Sequence, residues 1–492
     1  MSHVLAIDQG TTGSTVIILD FNGEVKAKVN QEYKQIYPKP GWVEHDPEDI
    51  WTSVLDVIPK ALKLAQISGN DIKAIGITNQ RETTMLWNRA TGRAFHNAIV
   101  WQDRRTSSFC EKLKRKGLEK KFKEKTGLVL DPYFSGTKIN WILQNVPEAK
   151  KNIKECAFGT VDTFLLWRLT GGTVHATDVS NASRTLLMDL KTLKWDSGLC
   201  KILSVPEEIL PEIKPSIGLF GHTKNLEVLP NGIPITGVAG DQQSALFGQA
   251  CFEMGEAKCT FGTGSFLLLN TGSKIVRSKS GCLTTVAWQW KNKITYAVEG
   301  SAFICGAAVQ WLRDGLRIIS KSADVEPLAA SVPDCGGVQF VLALTGLGAP
   351  YWDPDARGVI CGLTRGSSKA HLARATLEGM ALQNVELLNA MQKDLNKKIK
   401  TLKVDGGASA NNLLMQIQAD YLGVKCIRPA VIETTSAGAA FMAGLGAEIW
   451  KSLDDVKKVW RKDTDFVPKT SEKQRRDRLK LWQGAVKGTR IS

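Results

Sequence analysis

The sequence predicts an α/β protein made of two domains of similar design that face each other across a cleft. Two observations lead there. Apolar runs of strand length alternate with longer helix-compatible stretches along the chain, the pattern of an α/β fold. Two segments of strand–turn–strand layout, VLAIDQGTTGSTVIILD (residues 4–20) and AKCTFGTGSFLLLN (residues 257–270), carry glycine and hydroxyl residues in their turns, one early and one at mid-chain. With 492 residues the chain has room for roughly two to four domains. The second hairpin places a boundary near residue 250, giving domains of 1–250 and 251–492.

Val4–Ile7 reads as a strand, and Thr15–Leu19 as its partner after a tight turn. Asn22-Gly23 is a strong hairpin signal, and VKAKV (Val25–Val29) alternates as a third strand. Asp46-Pro47 starts a helix in HDPEDIWTSVLDVIPKALKLA. KAIGIT (Lys73–Thr78) is a buried strand. VAGDQQSALFG (Val238–Gly248) and VDGGASANN (Val404–Asn412) each read strand, turn, helix.

At 43% hydrophobic and 23% charged residues the composition is that of an ordinary globular protein with ample core. No apolar run approaches the ~18 residues of a membrane span, and Asp8 interrupts the N-terminus too early for a signal peptide. The ten cysteines form no CxxC pair. They are expected as buried or free thiols of a reducing cytoplasm, with no disulfide frame or zinc site. The formal net charge of +15 suits an anionic partner. The basic runs KLKRKGLEKKFKEK (Lys112–Lys125) and SEKQRRDRLKLW (Ser471–Trp482) contain acids and no interleaved aromatic stacking set, so they are expected as solvated helical faces and no nucleic-acid partner is expected.

The turns carry the chemistry. In DQGTTGST (Asp8–Thr15) glycines let backbone approach an anion, Thr11, Thr12 and Ser14 add hydroxyl donors, and Asp8 is placed to hold magnesium, often through waters. A plain decorated hairpin is the alternative. Two commoner nucleotide signatures, GxxxxGK[ST] and GxGxxG after a strand, are absent. Asp241 stands between a strand and a helix, as a general base, a metal ligand or a helix N-cap. Gly406 and Gly407 offer bare backbone to a flat ring or phosphate, or simply start a helix. In NQRETT (Asn79–Thr84), Arg81 and Glu82 place a donor fork beside an acceptor, as a polyol needs; a surface ion pair is the alternative. Trp101 offers an apolar wall and Tyr133 a hydroxyl, with core packing and turn capping as their alternatives.

Together the segments IDQGTTGS, ITNQRETT, IVWQDRRT, DPYFSGTKINWIL, FGTVDTFLLWRLT, TDVSNASRTLL, VAGDQQSALFGQ, TFGTGSF, LTGLGAPYWDPDARG and VDGGASANN resemble, in order and spacing, the FGGY family of carbohydrate kinases. YFSGTKINWILQN (133–145) and GVICGLTRGSSKAHLARATLE (358–378) are similar to that family's signatures. NQRETT, PYFSGTK and GLGAPYWDP resemble its glycerol-specific branch. The resemblance runs from about residue 4 to about residue 465.

It implies two RNase H-like domains of the actin-like ATPase fold flanking a nucleotide-binding cleft. It implies transfer of the ATP γ-phosphate to glycerol, giving sn-glycerol 3-phosphate and ADP, the first step of glycerol catabolism, with Mg2+ in a cytoplasmic homo-oligomer (dimer or tetramer). A kinase for another polyol or sugar, or an actin- or chaperone-like ATPase, are the alternatives. By position, Thr11, Thr12, Gly13, Ser14 and Thr263 match phosphate contacts, and Gly306, Gln310, Gly407 and Asn411 match the adenosine side. Arg81, Glu82, Tyr133, Asp241 and Gln242 match polar contacts to glycerol, with Trp101 and Phe266 as its apolar wall. Asp241 matches the catalytic base, and Asp8 with Asp241 the magnesium neighbourhood. The chain departs from the family at Thr15, where many members have Arg. It departs again in GHTKNLEVLPNGI (Gly221–Ile233), which lacks the Arg and Gly-Gly that some members use to bind fructose 1,6-bisphosphate. His222, the histidine of that segment, stands in a poor match to the context phosphorylated in others.

Overall fold

The computed structural model describes residues 3–489 with the exception of 354, so the proline that closes GLGAPYWDP lies outside the described residues. Thirteen strands form one sheet: β1 (His3–Gln9), β2 (Gly13–Asp20), β3 (Val25–Glu32), β4 (Ile72–Asn79), β5 (Ile217–His222), β6 (Pro234–Gly240), β7 (Ala257–Phe261), β8 (Ser265–Gly272), β9 (Leu283–Trp290), β10 (Lys293–Ala302), β11 (Thr401–Asp405), β12 (Lys425–Pro429) and β13 (Lys462–Phe466). Their order is β13-β12-β11-β7-β8-β10-β9-β5-β6-β4-β1-β2-β3. β1 and β2 are near-continuous apolar runs because both faces of the sheet are covered, whereas β3 near the edge alternates buried and exposed residues. These strands match the expected ones, each extended by one to four residues.

The two halves repeat one layout. In the first, β1 pairs antiparallel with β2 and parallel with β4, which pairs parallel with β6. In the second, β7 pairs antiparallel with β8 and parallel with β11, which pairs parallel with β12. The halves meet where β5 and β9 share a single parallel pair, Ile217 with Trp290.

Five helices frame the turns and brace the sheet: α1 (Pro47–Ala65), α2 (Asp241–Gly248), α3 (Gly306–Asp314), α4 (Asn412–Leu422) and α5 (Thr434–Gly446). α1 begins as the sequence indicates, with the Asp46 side chain accepting from the Glu48 amide and Pro47 in the first turn. α5 belongs to the second half of the chain, yet its Ala439, Ala440, Met442 and Ala443 pack in one core with Val4, Ala6 and Ala74 of the first half. The approach is close: a Cβ on Gly76 of β4 would meet the Ala439 carbonyl at 2.2 Å. Glycine is therefore required at that strand position by a helix lying on it.

The first basic run is two short helices, Ser107–Arg115 and Glu119–Thr126, separated at Gly117 and anchored by buried Leu113 and Phe122. The C-terminal run is helical with Glu472, Lys473, Arg476, Asp477 and Lys480 exposed as expected, but its other face is anchored. It lies in a helix, Glu472–Gly488, whose Trp482 is buried and donates to Glu386 Oε2 at 2.8 Å, and whose Arg478 pairs with Glu378. All ten cysteines are free thiols, and Cys361 alone is not fully buried. Among the described residues no helix is long and apolar enough to cross a membrane.

Candidate active site

The first hairpin turn, Gln9–Ser14, is held by side chains from three directions. The Tyr33 hydroxyl donates to the Gly10 carbonyl at 2.6 Å, Gln35 Nε2 to the Thr11 carbonyl at 3.0 Å, and Trp101 Nε1 to Thr11 Oγ1 at 2.9 Å. Thr12 is exposed at the tip. Two expectations for this turn change. Ser14 is fully buried and its hydroxyl is bonded to Ser53 of α1 at 2.7 Å, so it is not offered to the cleft. Gly13 is required by its neighbour in the sheet, since a Cβ there would come within 2.6 Å of the Gln31 carbonyl of β3. Thr15, where the family often has Arg, accepts from Asn30 Nδ2 at 2.9 Å.

At the ends of β4 and β6 the chain gathers charge. Arg81 is 2% exposed and its guanidinium is clamped by Glu299 of β10, Nη1 to Oε2 at 2.5 Å and Nη2 to Oε1 at 3.0 Å. Its Nε lies 3.0 Å from Asp241 Oδ1, and Nη2 donates to the Tyr133 hydroxyl at 3.4 Å. Glu82 is bound by Arg184, Nε to Oε1 at 2.6 Å, and Arg184 also reaches Glu299 Oε1 at 3.0 Å. Arg81 and Glu82 therefore form no surface ion pair. They belong to a buried quartet with Arg184 and Glu299, in which each charge meets an opposite one. Burial works to raise the Glu299 carboxyl, but the Arg184 and Arg81 guanidinium charges outweigh it and hold the group at about 2. Burial pushes Glu82 above its ordinary value against the pull of the two arginines. Glu82 sits at φ +60°, a strained conformation held by Ser135 Oγ and Thr84 Oγ1, both donating to its carbonyl.

Asp241 opens α2, but the cap position is Gly240, and besides its ion pair with Arg81 the Asp241 side chain accepts from the adjacent Gln242 amide, at 2.7 Å, and from no amide of the helix's later first turn among the described residues. The N-cap alternative is thereby removed. Its side chain is 29% exposed, against 2% for Glu82 and 0% for Glu299, so of these acids it has access to the cleft. Trp101 stands edge-on to Tyr133 with ring centres 5.6 Å apart and to Phe266 at 6.2 Å, forming an aromatic wall that draws on both hairpins. Asp8, at the end of β1, accepts from Ser436 of α5 at 2.9 Å. Its carboxyl is pushed up to about 7, first by burial and further by the Asp241 charge.

The second hairpin turn borders a cavity of about 500 Å³. Thr263, Gly306, Gln310, Gly407 and Asn411, all expected on the nucleotide side, line it together. Val309, Leu377, Met380 and Leu414 give it apolar walls, and Glu326 a carboxylate that accepts from the Leu413 amide at 3.0 Å. Gly407 has nothing within 4 Å of where a Cβ would stand, while Gly406 is turned against the Phe261 backbone, so of the pair only Gly407 presents bare backbone to the cavity. Asn411 caps α4, its Oδ1 accepting from Leu414 at 2.8 Å.

Sequence reasoning missed Arg184, Glu299, Lys258, Asp405 and Ser436. A signal existed for two of them. Glu299 and Lys258 are charges inside apolar stretches of strand, and such residues are almost never fully buried without a partner.

Repeated hairpin sheets joined edge to edge, a nucleotide-sized cavity beside one turn and an accessible carboxylate near the other are the parts of an actin-like ATP-using phosphotransferase. Residues 3–248 match the N-terminal domain, and residues 257–447 the C-terminal domain, of the FGGY family of carbohydrate kinases. The chain belongs to that family. Its relatives there include the glycerol kinase of Bdellovibrio bacteriovorus, 61% identical over 488 residues that cover 99% of each chain. The glycerol kinase of Myxococcus xanthus is 55% identical over 488 residues, 98% of each chain. A solved structure of Plasmodium falciparum glycerol kinase with ADP superposes with a TM-score of 0.92 at 40% identity, covering 100% of this chain and 99% of that one.

Proposed function

We propose that the chain transfers the γ-phosphate of ATP to a terminal hydroxyl of glycerol, giving sn-glycerol 3-phosphate and ADP, with Asp241 as the base. The observation that carries the reading is the contrast among the acids: Glu82 and Glu299 are each neutralised by arginine in the charge quartet, whereas Asp241 keeps the most exposed carboxylate of the three, paired with Arg81 and bonded to the Gln242 amide. Glycerol would lie against Trp101 and Phe266, with its hydroxyls on Arg81, Glu82, Tyr133, Asp241 and Gln242. Asp241 accepts the hydroxyl proton as that oxygen bonds to the γ-phosphorus, and the bond to the β-bridging oxygen breaks with its electron pair leaving on ADP. Phosphoryl transfer of this kind asks a protein mainly for positioning and charge stabilisation. Thr11, Thr12 and the backbone of Gly13 on one side, with Thr263 on the other, would steady the phosphates. Gly306, Gln310, Gly407 and Asn411 would hold the adenosine.

The donor set fits magnesium. Asp8 and Asp241 are two carboxyls close enough for one to raise the other. Among the described residues no cluster of three His, Cys, Asp or Glu side chains exists to hold an ion alone, so phosphate oxygens and water would complete the shell. When bound, magnesium supplies charge neutralisation at the phosphate oxygens. A cytoplasmic setting, where ATP is at hand and thiols stay reduced, suits the ten free cysteines.

The test is ADP release from ATP and magnesium, with and without glycerol and with xylulose in parallel. Strong dependence on glycerol is expected. Equal release without any polyol would favour a chaperone-like ATPase, and preference for xylulose would reassign the substrate.

A further inference from the structure

Lys258 lies on β7, the strand that leads into the second hairpin turn, and it is 0% exposed. Its Nζ stands 2.5 Å from Gln242 Oε1 and 2.7 Å from Thr260 Oγ1. Thr260 Oγ1 donates in turn to Asp405 Oδ1 at 2.5 Å, and the Asp405 charge offsets part of the cost of burying the lysine, which burial still holds below its ordinary value. An ammonium group has three donors and no acceptor. The two ends of a glutamine amide have nearly the same shape, so what faces them decides which is oxygen and which is nitrogen. Against Lys258 only the oxygen is tolerated. The nitrogen of Gln242 is thereby sent the other way, and it has no hydrogen-bond partner among the described residues. The same residue's backbone amide donates to Asp241 Oδ1, which ties the amide and the carboxylate into one unit at the start of α2.

We propose, resting on the glycerol reading and deepening it, that Lys258 is a positioning residue that fixes the polarity of the Gln242 side chain, so that Gln242 meets the polyol as a hydrogen-bond donor. A hydroxyl at this site accepts from Gln242 Nε2 and has its own proton left for Asp241. One oxygen is then oriented for both recognition and attack. Lys258 touches neither substrate. Its role is to remove the flipped amide, which would put an acceptor where the attacking hydroxyl needs a donor.

The test compares steady-state constants for wild type, Gln242→Ala, Gln242→Glu, Lys258→Met and the double variant Lys258→Met/Gln242→Ala, with thermal melting as a control for folding. Gln242→Glu keeps an oxygen toward Lys258 and removes the donor. It is expected to raise the glycerol KM as much as Gln242→Ala does. Lys258→Met is expected to raise the glycerol KM about tenfold and leave the ATP KM within about twofold, the range set by one hydrogen bond to a substrate. The double variant should be no worse for glycerol than Gln242→Ala alone. Multiplying effects in the double variant, or a Gln242→Glu enzyme with a wild-type glycerol KM, would overturn the proposal. If Lys258→Met fails to fold, the Gln242→Glu result decides alone. Absence of glycerol-dependent ADP release in wild type would instead sink the glycerol reading, and the same variants would then be scored on the polyol that wild type does phosphorylate.

Discussion

The two hairpin turns look alike in sequence and are held differently. Side chains carry much of the turn at Gln9–Ser14: Tyr33, Gln35 and Trp101 each bond to it, beside backbone bonds from Tyr33 to Thr12 and from Gln80 to Gln9, and Trp101 belongs to the aromatic wall of the proposed polyol site. The turn at Gly262–Gly264 is fixed by backbone. Cys305, Gly306 and Ala307 at the start of α3 donate their amides to the carbonyls of Thr263, Gly262 and Thr263, at 2.8, 2.9 and 3.1 Å. No side-chain hydrogen bond involves Thr263 among the described residues. The first turn is thus tied to the aromatic wall of the proposed polyol site and the second to the wall of the cavity proposed for the nucleotide. A glycine–hydroxyl turn specifies a shape, and its surroundings decide what that shape responds to.

The largest effect is expected at Asp241, the carboxylate proposed to act between the two turns. Asp241→Asn removes the proposed base and spares the fold, since the cap is Gly240 and Arg81 keeps its two bonds to Glu299. Its kcat should fall by on the order of 10²–10⁴ with melting close to wild type. A near-normal kcat would remove Asp241 from the chemistry. Recovery at high magnesium would assign the residue to metal placement.

Next in size is Gly306→Ala, whose new Cβ would stand 2.7 Å from the Gly262 carbonyl and push the second turn away from α3. The ATP KM should rise on the order of tenfold, about 1.4 kcal/mol of binding, with the glycerol KM unchanged. Equal losses for both substrates would show that the turns are not separately wired. Thr11→Val removes the acceptor of the Trp101 indole. A net hydrogen bond of roughly 0.5–1.5 kcal/mol predicts a two- to tenfold rise in glycerol KM, read by varying glycerol at saturating ATP. The smallest effect sharpens the comparison: Thr263→Val should leave the melting temperature of the ligand-free protein unchanged, while Thr11→Val lowers it. A drop for Thr263→Val would reveal that the second turn also depends on its side chain.

The strands and both turns were legible in the sequence because each depends on neighbours in the chain: apolar runs, Asn22-Gly23, Asp46-Pro47. Five residues expected on the nucleotide side, Thr263, Gly306, Gln310, Gly407 and Asn411, were found through family resemblance, and the structure brings all five into one cavity. What the sequence hid depends on distance. Arg81 and Glu299 are 218 positions apart, and Arg184 and Glu299 are 115 apart, so nothing local announces that they pair. Some glycines mislead for a related reason. Gly13 matches a phosphate contact by resemblance and Gly76 reads as an ordinary strand residue, yet Gly13 is needed because the neighbouring strand β3 passes close by, and Gly76 because α5, remote in sequence, lies on it. Ser14 reads as a ligand hydroxyl because its partner, Ser53, lies far along the chain on α1.

The placement of α5 on the first half of the sheet bears on how the protein is made. The apolar face formed by Val4, Ala6, Ala74 and Ala239 is covered by residues 437–445, which leave the ribosome late. Between completion of Gly248 and synthesis of Gly446 roughly 200 residues must be added, on the order of ten to forty seconds at about 5–20 residues per second. Through that interval the nascent chain holds a nearly finished sheet with one bare side. The first half therefore cannot complete this core until residues 437–445 have been made. Exposed nascent surface of that kind is where holding chaperones act, and it is also where a truncated message would leave an aggregation-prone product.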